Sequence, residues 1–132
     1  MKNFSMIALA AASFLMFGCE TNVAVDSSAN PVGCYNLTDG IFKGEIAGSP
    51  TSVFKAANAA LEKDLGFMCT GFQPKDPLKQ KIKARMRDDR LVVVTMTQVE
   101  PGLTAVEIDV DDSDLMTSHK IFNAIARRSN KR

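Results

Sequence analysis

Charge of one sign is the first thing this chain lacks. Sixteen basic residues stand against fifteen acidic ones over 132 positions, a formal net charge of +1. A basic field broad enough to hold nucleic acid is therefore excluded as the chain's main business. Histidine is almost absent, His119 being the only one. General base catalysis needs a nucleophile or acid within hydrogen-bond reach, and the sequence neighbour Ser118 points elsewhere on a helix. Phosphate-binding loops, nucleophile elbows and zinc motifs are all missing. Cys34, Cys69 and His119 are too widely spaced for a zinc site. Asp109, Asp111, Asp112 and Asp114 lack the glycine and ligand spacing of an EF-hand loop, so helix capping accounts for them more simply. The reading is a protein without catalytic residues, metal or cofactor.

Long apolar runs are also lacking. The one present runs from about Met6 to Phe17 and is closed by Glu20, short of the roughly 20 residues that span a bilayer. With Lys2 before it and Gly18 after it, this run has the three parts of a secretory signal. Its end, Met16-Phe17-Gly18-Cys19, resembles the bacterial lipobox Leu-Ala-Gly-Cys. Met stands in place of Leu, and the bulky Phe17 in place of a small residue. The resemblance implies cleavage after residue 18, acylation of Cys19 and anchoring by several chains, which bind stably where one binds reversibly. Glu20 is not the aspartate that usually retains lipoproteins at the inner membrane. The implied address is therefore the outer membrane, on its periplasmic face, with surface exposure as the alternative.

Removal of residues 1–18 takes away Lys2 and no acid, leaving 15 basic and 15 acidic side chains. What remains suits one domain with one core. Residues 19–40 are polar, small and punctuated by Pro and Gly, and read as a lipidated N-terminus followed by a flexible tether. Once Cys19 is acylated, Cys34 and Cys69 remain. Two thiols in an oxidising compartment most often pair, and a disulfide closing this loop would stabilise by roughly 3–4 kcal/mol.

The domain, residues 41–132, reads as β-α-β-β-β-β-α. Ile41–Gly48 is a first strand. Ser49-Pro50 caps a helix whose stripe is Val53, Phe54, Ala57, Leu61 and Leu65, stopped by Gly66. A short strand around 67–72 follows. Leu78–Arg87 alternates with period two, and Leu91–Glu100 and Leu103–Val110 complete two hairpins. A two-residue turn at Asp88-Asp89 pairs Met86 with Leu91, Ala84 with Val93 and Ile82 with Thr95. A turn at Pro101-Gly102 pairs Thr95 with Ile108 and Val93 with Val110. On that register one face is apolar and the other carries the rows Lys83–Val94–Asp109 and Lys81–Met96–Glu107. Asp111–Asp114 opens a final helix with the stripe Leu115, Ser118, Ile121, Phe122 and Ile125, and Arg127, Arg128, Lys131 and Arg132 at its negative end. The expected fold is α+β: an antiparallel sheet of about four to five strands with two helices packed on one face.

In order, Gly18-Cys19, "FKGEI", "AALEKDLGF", "KIKARMRDD", "TAVEIDV" and "SHKIFNAI" resemble a family of small bacterial envelope lipoproteins built on a domain of unknown function. That family includes virulence-associated lipoproteins of intracellular Gram-negative pathogens. The resemblance implies a fold likened to helix-grip proteins, which enclose an apolar cavity, and brings no catalytic residues.

Three surfaces follow as candidates. Lys79, Lys81, Lys83 and Arg85, with Arg87, form a basic ladder suited to anionic headgroups, or else a solvated strand face whose long stems cover apolar neighbours. Val92, Val94 and Met96 are expected on the same outward face as a docking strip for an envelope or host protein, or else as ordinary β-formers. Phe42, Phe54, Leu61, Ile82, Val93, Ile108, Phe122 and Ile125 are expected to line a pocket for an apolar, lipid-like ligand, or else to pack as a core. The expected function is thus a membrane-anchored, non-catalytic interaction module, with an apolar-ligand carrier as the alternative.

Overall fold

The computed structural model describes residues 21–24, 31–36 and 39–130. The expected signal peptide, residues 1–18, and the acylation site Cys19 lie outside the described residues. Elements run in the order β1 (Thr21–Ala24), β2 (Pro31–Asn36), β3 (Ile41–Ala47), α1 (Pro50–Ala59), a π-helical turn (Ala60–Asp64), β4 (Met68–Asp76), β5 (Lys79–Arg85), β6 (Leu91–Glu100), β7 (Leu103–Val110), a 3-10 turn (Asp111–Ser113) and α2 (Leu115–Asn130). The α+β class holds: every paired strand is antiparallel, and two helices accompany the sheet. The sheet is wider than expected, with the order β1-β2-β3-β7-β6-β5-β4. Its extra width comes from Thr21–Ala24 and Pro31–Asn36, segments read as tether, which add two strands at one edge.

Local chemistry explains the helix ends. Ser49 is extended and its hydroxyl accepts from the Ser52 amide at 3.2 Å, with Pro50 following at the first helical position. At the other end the Leu65 amide reaches back five residues to the Ala60 carbonyl, which makes the π turn. Gly66 then takes a positive φ of 69°, and the Phe67 amide closes on the Leu61 carbonyl at 2.8 Å. Asp114 caps α2, accepting from the Thr117 amide at 3.1 Å and the Thr117 hydroxyl at 2.7 Å. These three ends match the expectation from sequence.

Both helices lie on one face of the sheet, α1 against β5, β6 and β7, α2 against β3 and β7. The core is where they meet it. Phe42 and Ile46 come from β3, Ile82 and Ala84 from β5, and Val106, Ile108 and Val110 from β7. Val53, Ala57 and Leu61 descend from α1 and its π turn, and Ile121, Phe122 and Ile125 from α2. Inside this layer the Phe42 and Phe122 rings sit 5.1 Å apart at 48°. Gln80, buried on the same face of β5, donates to the Thr51 hydroxyl at 3.1 Å, so its amide is not stranded.

Strand β6 departs from the expected register by one residue on both sides. Between β5 and β6 the loop has three residues: the Asp89 amide donates to the Met86 carbonyl at 3.0 Å, and the Met86 amide to the Arg90 carbonyl at 2.8 Å. Asp89 carries the positive φ, 75°, that such a turn requires at its third position. Arg85 thus faces Leu91, and Ile82 faces Val94. Between β6 and β7 the tight turn at Pro101-Gly102 is present, with Glu100 opposite Leu103, but the register shifts between Gln98 and Glu100. That bulge puts Val94 opposite Ile108 and Val92 opposite Val110. The two shifts cancel between β5 and β7. Only the middle strand turns over.

Candidate interaction surface

The slip decides which residues form the open face. Val92, Val94 and Met96, expected as an outward docking strip, are 0% exposed beneath the helices. Val93, expected in the pocket, lies instead on the face opposite the helices, in line with Thr95 and Thr97. The physical reason is that side chains alternate across a strand, so one extra residue in each hairpin exchanges the two sets. The other predicted pocket residues are together. Phe42, Leu61, Ile82, Ile108, Phe122 and Ile125 are buried in one cluster, and Phe54 packs against it partly exposed.

The open face is organised in columns. On β5 stand Lys79, Lys81, Lys83 and Arg85, all on the side away from the helices, as expected. On β6 stand Leu91, Val93, Thr95 and Thr97, a neutral spine that the sequence reading had assigned inward. On β7 stand Ala105, Glu107 and Asp109, and β3 adds Lys43 and Glu45 beyond them. Cross-strand register fixes the rows Lys83–Val93–Asp109 and Lys81–Thr95–Glu107. Strands lie about 4.8 Å apart, so the basic and acidic columns are about 10 Å apart across the spine. Among the described residues no ion pair joins them; Arg85 instead meets Asp89 in its own hairpin at 3.1 Å.

The acidic side is crowded. Partial desolvation of Asp109, then the charges of Asp111 and Asp39, push its carboxyl above the usual range. Asp111 is engaged by the Leu91 amide at 2.9 Å, and Tyr35 donates its hydroxyl to the Ser113 carbonyl, which draws β2 onto the same corner. Asp114 behaves oppositely. Its bonds from Thr117, then the Arg90 guanidinium at 3.2 Å, hold its carboxyl down at about 2. It is spent on capping.

The cysteines are not joined as expected. Cys69 is a free thiol, so the expected bond between Cys34 and Cys69 is absent. Cys34 sits on β2 and Cys69 on β4, five strand positions apart in the sheet order. At about 4.8 Å per strand that is about 24 Å, and a disulfide requires Cα atoms within about 7 Å. Cys69 tucks under the α1 end instead, its Sγ 3.4 Å from Asn58 Oδ1. Burial, then the neighbouring Glu62 carboxylate, push the thiol up to about 11. It is therefore a poor nucleophile.

His119 lies against the edge of the core, its ring 6.2 Å from Phe42. The Ser118 hydroxyl donates to the Asp114 carbonyl at 2.9 Å, which leaves it committed to the helix. Among the described residues no three potential metal ligands are grouped, and no helix is long and apolar enough to cross a membrane.

A family model described as a protein of unknown function, DUF3568, matches residues 2–128. The chain belongs to the DUF3568 family. The family match takes in both helices, the sheet and the N-terminal apolar run with Cys19. No curated protein matches the chain.

Sequence reasoning did not place Leu91, Thr95 and Thr97 on the open face. A usable signal did exist. Burying Val92, Val94 and Met96 gives a more apolar inner face than burying Val93, Thr95 and Thr97. Weighing that difference against the assumed turn length would have turned β6 over.

Proposed function

We propose that this chain is a lipid-anchored module of the bacterial cell envelope that works by binding, without catalysis, through the sheet face its helices leave open. The observation that carries the reading is the patterning of that face. Among the described residues, a broad sheet with its helices on one side presents on the other a basic column, a neutral spine and an acidic column in register. Charges arranged in rows give orientation and rate of encounter, which suits recognition of a protein surface. The anchor part rests on the signal-like N-terminus ending in Cys19 and favours the outer membrane. The likeness to virulence-associated envelope lipoproteins extends the proposal to a role at the host boundary.

Photo-crosslinking in the native envelope tests the binding reading. A benzophenone side chain at Thr97, on the open face, is expected to capture a partner, and the same group at Lys120, on α2, is not. Equal capture from both positions, or none from Thr97, would overturn it. Intact mass of the membrane-extracted chain tests the anchor, the expected value being cleavage before Cys19 plus acyl chains.

A further inference from the structure

We propose that the partner on the open face is a second copy of this chain, packed sheet on sheet about a two-fold axis that runs along β6. This rests on the reading of that face as the binding surface and gives it an occupant. The argument is one of symmetry. Two identical faces can meet about a two-fold axis lying either along the strands or across them. An axis across the strands lays β5 on β5 of the second copy, lysine against lysine. An axis along β6 keeps every row at its own height and exchanges left for right, so that β5 lies over β7 of the second copy.

The second arrangement matches charge row by row. Lys83 meets Asp109 of the second copy, and Lys81 meets Glu107, because the register already holds those residues in common rows. Leu91, Val93, Thr95 and Thr97 lie on the axis and meet their own counterparts. None of these four is charged, and Leu91, 42% exposed in the single chain, gains an apolar neighbour there. Within one chain the spine separates the two columns. Across the interface the side chains stand roughly perpendicular to their sheets and point at one another over the usual gap of about 10 Å.

Size and burial agree with this occupant. About an axis on β6 the five strands from β4 to β3 in sheet order overlap. At about 4.8 Å spacing and about 24 Å length they offer on the order of 600 Å² per copy, at the lower end of the roughly 600–1,000 Å² per partner of a standard stable interface. Aligned sheets pack at about −30° because of their twist, so the best-matched rows are the central ones, those of Lys81 and Lys83. Asp109, crowded by Asp111 and Asp39 within its own chain, gains Lys83 of the second copy as a counter-charge. The interface is isologous and closes at two copies, leaving no open chain of contacts.

A cysteine on the axis reads this out. In a Cys34→Ser, Cys69→Ser background of the full chain, Thr95→Cys is expected to form a disulfide-linked dimer on mild oxidation in native membranes. Thr117→Cys, on α2, is expected to stay monomeric. Adding Lys81→Glu and Lys83→Glu should lower the linked fraction by about ten-fold or more, since like charges then face each other. Adding Glu107→Lys and Asp109→Lys to that same chain should restore it. Circular dichroism and thermal melts of each variant confirm folding, and Val93→Cys serves if Thr95→Cys is unstable. A linked fraction indifferent to these charges would overturn the geometry. Monomer throughout, with Thr97 still capturing a different protein, would overturn the dimer and keep the binding reading. No capture of any kind would remove both.

Discussion

Strand β6 carries two neighbouring sets of side chains with opposite fates. Val92, Val94 and Met96 are sealed beneath the helices, while Val93, Thr95 and Thr97 stand half-exposed on the open face. The residues alternate along one strand and differ modestly in polarity. Their difference teaches that face assignment is a property of register, and that register here depends on a three-residue turn and a single bulge. Each of those features can be broken separately.

The largest effect belongs to the buried set. Met96→Ala should cost about 3 kcal/mol in urea denaturation, from lost contacts and the cavity left behind. Thr97→Ala, its neighbour on the other face, should stay within about 0.5 kcal/mol. Similar losses from both would dissolve the contrast.

Next comes the turn that sets the register. Asp89 holds a φ of 75°, which short polar residues tolerate and β-branched ones do not. Asp89→Val should cost about 1.5 kcal/mol in strain, whereas Asp89→Gly should be neutral to within about 0.5 kcal/mol. Amide exchange in the β5–β6 hairpin would locate the loss.

Capping of α2 is worth somewhat less. Asp114→Ala should cost about 1 kcal/mol at neutral pH. Because the Asp114 carboxyl is held down at about 2, its contribution is full above the ordinary carboxylate range and disappears as pH falls through about 2. A chemical denaturation series across that acidic window should therefore flatten in the variant.

The smallest effect touches chemistry without stability and compares the sheet's two sides. Cys34 lies on β2 near one edge, while Cys69, on β4 at the other, is a thiol raised to about 11. Iodoacetamide should modify Cys69 slowly at neutral pH and faster only as pH approaches about 11. Glu62→Gln should speed the reaction at a given pH, by removing the second cause of the shift.

Much of the fold was legible. The Ser49-Pro50 cap, the Gly66 stop and the Asp114 cap rest on local chemistry that the sequence states directly. So do the bounds of β6 and β7. The open face was half legible: the β5 ladder and the β7 carboxylates were placed correctly, and the spine between them was not. Turn length was assumed from Asp88-Asp89, and no short motif announces a bulge at Val99. The two edge strands were hidden by small polar residues that resemble a tether until the β3 edge is there to pair with them.

The sequence alone determined the class of fold, the helix ends and the columns of charge, because each follows from contacts within a few residues. The tertiary structure decided which side of β6 is buried, that Thr21–Ala24 and Pro31–Asn36 join the sheet, and that Cys34 and Cys69 stand too far apart to bond. Those outcomes depend on strand order and on one-residue shifts. Their energy lies in burying one whole face under two helices, a quantity that no local stretch of chain contains.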